Sequence, residues 1–114
     1  MFSYNLLPSE KCEFVQVCNL TDLPSGERLY LEIDGQNIVI LNLAGIFYAI
    51  GDVCSHDDGP VGDGEIEGFE IICPRHGARF DVRTGKVTSL PAVVDIPAYP
   101  VRQVNGFIEI GLPR

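Results

Sequence analysis

Two short segments of this chain each place a cysteine close to a histidine. Cys54 and His56 are separated by one residue, Cys73 and His76 by two, and sixteen residues lie between the two pairs. Together they use both histidines and two of the four cysteines in the chain. Thiolate sulfur and imidazole nitrogen bind zinc and iron, so this pattern predicts a metal site built from two loops.

The mixed content of each pair bears on which metal is bound. A [2Fe–2S] cluster in which two imidazoles replace two thiolates on one iron requires two cysteines and two histidines. Residues i and i+2 of an extended segment point the same way, roughly 7 Å apart, so one loop can supply a ligand to each of two neighbouring metals. Zinc accepts the same atoms, but zinc modules usually take two cysteines from one turn and two histidines from another. We expect one [2Fe–2S] cluster, and a structural zinc ion is the alternative.

Length and charge limit what else the chain can be. Its 114 residues are enough for a single domain, 1–114, with no room for a catalytic domain beside the cluster. Sixteen acidic residues against eight Lys and Arg give a net charge of −8. That charge argues against binding to nucleic acid or to an anionic membrane surface, and it favours a basic patch on a partner protein.

The sequence also indicates a compartment. No segment has the features of a signal peptide or of a membrane span, so we expect a cytoplasmic protein, and we expect a monomer. Cys12 and Cys18 would lie roughly 20 Å apart on one strand, which is beyond disulfide reach. They are interpreted as small apolar core residues in a reducing compartment.

The hydrophobic pattern predicts short strands and no helix of ordinary length. Apolar and polar residues alternate or form short runs, separated by Gly, Pro, Asn and Asp. The predicted strands are a meander over 29–33, 38–41 and 46–50, a hairpin of 66 with 69–72, and a hairpin of 101–104 with 107–110. Asp34-Gly35 and Ala44-Gly45 would form the turns of the meander, and the run 38–41 is apolar enough for a strand that is covered on both faces. Asn105-Gly106, between the last two strands, is a strong signal for a two-residue turn.

Residues 54–60 (CSHDDGP) and 73–81 (CPRHGARFD) resemble the two cluster loops of Rieske proteins, and the similarity extends over about residues 13 to 111. More specifically, the chain resembles the small Rieske ferredoxins of bacterial ring-hydroxylating dioxygenases. The resemblance implies an all-β, Rieske-type ISP fold: an antiparallel β-sandwich or small barrel with an inserted cluster-binding subdomain at about 53–88. Residues 89–92 would form a third loop that shields the cluster, although an ordinary turn explains them equally well.

The resemblance also implies ligands and a role. Cys54 and Cys73 would bind one iron, and His56 and His76 the other. The chain would carry single electrons from an NAD(P)H-dependent flavin reductase to a terminal, aromatic-ring-hydroxylating oxygenase, and would not itself be an enzyme. The alternatives are a small Rieske-like subunit of an NAD(P)H nitrite reductase, whose typical members lack the four ligands present here, and a redox protein associated with iron–sulfur assembly.

Residues near the ligands predict a low reduction potential. High-potential Rieske proteins carry a disulfide between the cluster loops, and Gly59 and Arg75 occupy the matching positions here. Ala78 and Phe80 stand where those proteins place a serine and a tyrosine hydroxyl, and neither can donate a hydrogen bond to a cluster sulfur. Because such donors stabilise the reduced cluster, their absence lowers the potential. We expect a value near the low end of the Rieske range of about −150 to +300 mV.

Charged residues between and beside the ligands predict a docking surface. Six acidic residues and no Lys or Arg lie between the ligand pairs: Asp57, Asp58, Asp63, Glu65, Glu67 and Glu70. Their charge should lower the potential further and attract a basic partner. We expect His56 and His76 to face solvent at the docking surface, beside Asp57, Asp58, Pro60 and Arg75. Arg79 is interpreted either as a docking residue or as the local partner of Asp81.

Overall fold

Three antiparallel sheets make up the fold in this computed structural model, which describes residues 8–92 and 94–113. The strands are β1 (Cys12–Asn19), β2 (Arg28–Ile33), β3 (Gln36–Leu43), β4 (Ile46–Gly51), β5 (Ile66–Glu67), β6 (Glu70–Ile72), β7 (Arg79–Asp81), β8 (Val87–Ser89), β9 (Ala98–Tyr99), β10 (Val101–Val104) and β11 (Phe107–Pro113). Within the described ranges, helical structure is limited to two three-residue 3-10 turns, Ser9–Lys11 and Leu20–Asp22. The predicted all-β class is confirmed.

Two of the sheets form the base of the molecule. One has the strand order β1-β11-β10 and the other β2-β3-β4-β9. Their facing side chains share an apolar core that includes Ile38 and Ile40 of β3 and Ile108 and Ile110 of β11, all fully buried. The chain between β4 and β9 forms the third sheet, with the order β5-β6-β7-β8.

Strand β3 lies between two cores, which explains its unbroken apolar sequence. Successive side chains of a strand point to opposite faces. Ile38 and Ile40 pack into the core of the base, whereas Val39 and Leu41 pack into a second core together with residues of the third sheet such as Phe80. The prediction that 38–41 is covered on both faces is confirmed.

Three two-residue turns that end in glycine join neighbouring strands. Asp-Gly and Asn-Gly favour their backbone conformation, whereas Ala44 adopts it although it has a Cβ atom. Asp34-Gly35, Ala44-Gly45 and Asn105-Gly106 have positive φ at both positions, which is the type I′ arrangement that matches the twist of antiparallel strands. These turns fix the registers of β2 with β3, of β3 with β4 and of β10 with β11. The meander that leads into the first cysteine–histidine segment is therefore placed by local sequence.

Cys12 and Cys18 both lie on β1, and no disulfide joins them. Cys12 is buried, in agreement with its interpretation as a core residue. Among residues 8–92 and 94–113, no helix is long and apolar enough to cross a membrane.

Candidate metal centre

The first cysteine–histidine segment is a tight loop that follows β4. The amide of Cys54 donates to the carbonyl of Gly59 (2.6 Å), and the amide of Asp58 donates to the carbonyl of Cys54 (2.7 Å). Asp58 has a positive φ of 62°, a conformation that aspartate tolerates better than most residues. The loop therefore closes on its own cysteine, with both backbone groups of Cys54 hydrogen-bonded.

The second segment has the same hydrogen-bonded frame. The amide of Cys73 donates to the carbonyl of Ala78 (2.7 Å), and the amide of Gly77 donates to the carbonyl of Cys73 (3.0 Å). Gly77 has a positive φ of 80° at the position equivalent to Asp58. The two loops thus have the same pattern of backbone hydrogen bonds. The histidine nevertheless follows the cysteine by two residues in the first loop and by three in the second.

The span between the loops is anchored to the base. One Asp52 oxygen, Oδ1, accepts from the amides of Val61 (3.0 Å) and Gly62 (2.6 Å). Arg28 on β2 donates to the carbonyls of Gly62 and Gly64, the latter at 2.6 Å. Local sequence does not predict these roles of Asp52 and Arg28, because the backbone groups that they bind lie between nine and thirty-six positions away.

The fold brings the four predicted ligands together as two pairs. Cys54 and Cys73 are buried, at 0% and 1% exposure, and candidate ligand atoms of these two residues and Asp57 all lie within 4.8 Å of one another. The imidazoles of His56 and His76 are 5.0 Å apart between ring centroids and meet at 89°. Both histidines are exposed, and candidate ligand atoms of theirs also lie within 4.8 Å of one another and of Asp57.

This division into pairs tests which metal the site fits. A single tetrahedral zinc, with bonds of about 2.0–2.3 Å, needs all four donors within one small group. Within the described ranges, no such group contains both a thiol and an imidazole. Two adjacent groups, one of sulfur and one of nitrogen, fit a two-iron cluster with mixed ligands.

The cysteines lie in an apolar environment. They belong to the second core, together with Ala78, Phe80 and Ala92. Burial raises the pKa of the Cys54 thiol, and the neighbouring Cys73 thiol adds to the rise. Ala78 and Phe80 are both fully buried and have no hydroxyl, so neither side chain can donate a hydrogen bond toward the sulfurs.

Asp57 and Arg75 connect the two loops. Arg75 Nε lies 2.5 Å from Asp57 Oδ2, and Arg75 Nη2 lies 2.9 Å from Asp57 Oδ1. These hydrogen bonds from Arg75, followed by one from the Gly59 amide, hold the pKa of the Asp57 carboxyl far below its usual range. His76 Nδ1 lies 3.7 Å from Asp57 Oδ2, so the carboxylate also borders the imidazole pair.

The predicted acidic surface is smaller than the sequence indicates. Asp57 is paired with Arg75, and Arg79 pairs with both Glu67 (2.8 Å) and Glu70 (3.2 Å). Half of the six acidic residues between the ligand pairs are therefore compensated by arginine. Asp63 accepts from the hydroxyl of Tyr30, and Asp58 and Glu65 are exposed.

The interpretation of Arg79 as the partner of Asp81 is wrong. Asp81 instead pairs with Arg83 (2.8 Å), and its Oδ1 also accepts from the Arg83 amide (2.9 Å). Three hydrogen bonds from Arg83, one of them from its backbone amide, occupy the Asp81 carboxylate locally. Arg79 reaches carboxylates of the β5–β6 hairpin instead.

The loops of Cys54 and His56 (residues 54–60) and of Cys73 and His76 (residues 73–78) are called the first and second ligand loops below. A third loop, between β8 and β9, lies against the first ligand loop. The Ser55 hydroxyl donates to the carbonyl of Val94, and Ala92 is buried with the cysteines. Leu90 and Val94 are the most exposed large apolar side chains of the described residues, at 73% and 59%. The contact with the first loop lies just beyond the 89–92 stretch that the resemblance indicated.

The sequence profile of the Rieske [2Fe-2S] domain matches residues 13–100. The chain belongs to the Rieske [2Fe–2S] family. The domain of this family binds one [2Fe–2S] cluster, which agrees with the donor set described above.

Similar proteins place this Rieske chain among ferredoxins. It is 38% identical over 101 residues to the ferredoxin subunit of 3-phenylpropionate/cinnamic acid dioxygenase from Escherichia coli K12, covering 88% of this chain and 94% of that protein. The solved ferredoxin of carbazole 1,9a-dioxygenase from Nocardioides aromaticivorans IC177 superposes with a TM-score of 0.80 at 34% identity, covering 89% of this chain and 98% of that one. A chain from the complex of reduced oxygenase and oxidized ferredoxin in carbazole 1,9a-dioxygenase gives a TM-score of 0.79 at 27% identity, covering 86% and 92%.

Proposed function

We propose that this Rieske protein is a one-electron carrier whose cluster is held by Cys54 and Cys73 on one iron and by His56 and His76 on the other. The two ligand loops and the third sheet, about residues 53–88, would form the cluster-binding subdomain. When bound, the cluster supplies reversible uptake and release of one electron. The protein side chains hold it, exclude water from the thiolate side and expose the imidazole side.

The opposite burial of the two ligand types is the observation that carries this proposal. The thiols are at most 1% exposed, whereas the His76 side chain is 55% exposed. Apolar surroundings protect thiolate ligands from solvent, while exposed imidazoles let a partner protein approach the metal closely. This arrangement suits electron transfer between proteins.

We infer that the partners are a flavin-dependent ferredoxin reductase and a terminal oxygenase, and that the chain is an electron-transfer component and not itself an enzyme. The similar proteins are ferredoxin components of dioxygenase systems, and one solved relative comes from a complex with an oxygenase. The phenylpropionate and carbazole systems act on different compounds, so similarity to them does not define a substrate here. We further propose that the protein works as a monomer in the cytoplasm, where Cys12 and Cys18 stay reduced.

The docking face would surround the two imidazoles. Val94, whose carbonyl accepts from the Ser55 hydroxyl, provides exposed apolar area beside the first ligand loop, and Asp58 provides negative charge in the same loop. Apolar contact at the centre of a transient interface with charge at its rim gives fast, specific and reversible association. A partner with a basic rim around its own redox centre would fit this face.

Reconstitution of electron flow tests the proposal. The purified protein should contain two iron and two acid-labile sulfide per chain and should accept one electron in an anaerobic titration. With NADH and a flavin-dependent ferredoxin reductase, it should then carry electrons to cytochrome c, and a His76→Ala control should not. A colourless protein with zinc, or cytochrome c reduction that is independent of the added protein, would contradict the proposal.

A further inference from the structure

Arg75 makes three hydrogen bonds that all cross from the second ligand loop to the first. Besides the two bonds to the Asp57 carboxylate, Arg75 Nη1 donates to the carbonyl of Pro60 at 2.7 Å. The bonded residues are fifteen and eighteen positions apart in sequence. Such a bidentate arginine–carboxylate pair restricts both distance and orientation, unlike a single contact between exposed charges.

The attachment points of this bridge lie next to the histidines. Asp57 follows His56 directly, and Arg75 precedes His76 directly. Asp57 Oδ1 also accepts from the Gly59 amide (3.0 Å), so the carboxylate is fixed to its own loop independently of the guanidinium. Any change in the spacing of the two loops at this point would therefore move one imidazole relative to the other.

Because Gly59 has no side chain, the guanidinium of Arg75 can lie against its backbone. A Cβ atom added at Gly59 would lie 2.7 Å from Arg75 Cζ and 2.8 Å from Nη2. Gly59 does not have a positive φ, so an alanine there would not strain the backbone by its conformation. The side chain that would have to move is the flexible end of Arg75, and Gly59→Ala is expected to displace this group while leaving both charges in place.

We propose that Arg75 is a positioning residue: with Asp57, Pro60 and Gly59 it forms an interloop bridge that holds His56 and His76 at the spacing that the cluster requires. The proposal rests on the proposed ligands. It assigns the bridge to retention and alignment of the imidazole ligands and not to general folding stability, because the hydrogen bonds of Arg75 among the described residues join the two ligand loops.

The test measures how fast the cluster is lost from the holoprotein. Visible absorbance is followed after addition of an iron chelator to wild type, Arg75→Gln, Asp57→Asn, the double variant and Gly59→Ala. Arg75→Gln and Gly59→Ala should each lose the cluster about five- to tenfold faster than wild type. The double variant should lose it no faster than the quicker single variant, because both substitutions remove the same contact.

Arg79→Gln is the matched control. Arg79 is as exposed as Arg75 (31% against 33%) and also bridges to carboxylates, but its partners Glu67 and Glu70 lie outside the two ligand loops. This variant should release its cluster at the wild-type rate. Rates for Arg75→Gln and Gly59→Ala that match wild type, or equal acceleration in Arg79→Gln, would overturn the bridge.

A spectroscopic measurement separates alignment from stability. Electron paramagnetic resonance of the reduced holoprotein should show a wider spread of nitrogen couplings in Arg75→Gln and Gly59→Ala than in wild type and Arg79→Gln. Identical couplings in all four would overturn the positioning role even if cluster loss were faster. Absence of a [2Fe–2S] signal in the wild type itself would instead contradict the proposed function, so the two failures are distinguishable.

Discussion

Cys54 and Cys73 lie in an apolar core with Phe80 and Ala92, whereas His56 and His76 lie at the surface. The cysteines are therefore protected from solvent and the histidines are accessible to it, although each loop contributes one cysteine and one histidine. This separation arises because the two loops share one backbone frame and pack with their cysteines inward. A chain with the same four residues but no such frame would not separate them in this way.

Substitution of the two histidines and of the two cysteines on β1 should have opposite effects on cluster content. His56→Ala and His76→Ala should each lose the cluster, because one iron would lack a protein ligand. Cys12→Ser and Cys18→Ser should keep it, since both cysteines lie on β1 of the base. Iron and sulfide analysis of the four purified variants is the measurement. Loss of iron in both serine variants, with retention in both alanine variants, would reverse the assignment.

A second prediction concerns the reduction potential. Ala78→Ser and Phe80→Tyr each introduce a hydroxyl near the buried sulfurs, and the reduced cluster gains more from a donor than the oxidised cluster does. If each bond differs by roughly 1–2 kcal/mol between redox states, the potential should rise by about 40–90 mV. Protein-film voltammetry at neutral pH gives the shift.

Structures of these variants serve as the control for the hydroxyl positions. Ala78→Ser is the cleaner change because it adds one atom, whereas Phe80 is fully buried and a tyrosine needs space for its hydroxyl. An unchanged potential in both variants, with the hydroxyls facing the sulfurs, would mean that other groups set it.

At the scale of elements, the span 61–64 connects the base to both ligand loops. Asp52 and Arg28 hold it from the base, and the amide of Gly64 donates to the carbonyl of Val61 (2.9 Å). A Cβ atom on Gly64 would lie 1.9 Å from the carbonyl oxygen of Ile72, the residue before Cys73. Gly64 is therefore required by close backbone approach and not by a positive φ.

Gly64→Ala should disturb this span and the second ligand loop together. The backbone must move to relieve the overlap, so we expect a loss of roughly 1–3 kcal/mol in the free energy of unfolding and a lower iron content. Gly68→Ala is the control: a Cβ atom there meets nothing within 4 Å, although its positive φ carries a cost of its own. Urea unfolding and iron analysis distinguish them, since only Gly64→Ala should lose iron. Full iron occupancy in Gly64→Ala would contradict the proposed coupling.

Local sequence was sufficient to predict the elements that depend on neighbouring residues. The turns at Asp34-Gly35 and Asn105-Gly106 and the doubly buried run 38–41 all formed as expected. The pairing of β1 with β11 was not predicted, because its partners lie about ninety residues apart and no turn specifies their register. Phe69 also differs from the prediction, which placed it in the strand 69–72. It lies at the hairpin turn, 43% exposed, with the Arg83 guanidinium 4.2 Å from its ring centroid.

The candidate site was predictable in its residue types but not in its geometry. Spacing and chemistry identified four donors, and the structure brings them together in two pairs. The bridge between Asp57 and Arg75 could not be predicted, because it depends on how two loops pack in space. The same limit explains the error at Arg79, because its carboxylate partners lie on the β5–β6 hairpin and not on its own strand.

The net charge of the whole molecule, −8, should affect the rate at which it associates with partner proteins. We predict that electron transfer from a flavin-dependent reductase slows as ionic strength rises, because salt screens the attraction to a basic face. Asp58→Lys should lower the second-order rate constant without changing the absorption spectrum. Stopped-flow kinetics over a range of salt concentrations measure both effects.

Glu13→Lys provides the matched control, since it makes the same charge change at an exposed position on β1, outside the ligand loops. It should reduce the rate constant less than Asp58→Lys does. Equal effects of the two substitutions would mean that total charge, and not a docking face at the first ligand loop, governs the encounter.

Pulsed electron paramagnetic resonance of the dithionite-reduced protein detects directly whether the metal centre has nitrogen ligands. A cluster held by two thiolates and two imidazoles predicts a low average g value and hyperfine coupling to two ligand nitrogens. Both couplings should disappear when the imidazole nitrogens are replaced by ¹⁵N, leaving ¹⁵N couplings in their place. A signal typical of an all-thiolate cluster without strongly coupled nitrogen, or no signal from a zinc-containing protein, would contradict this set of ligands.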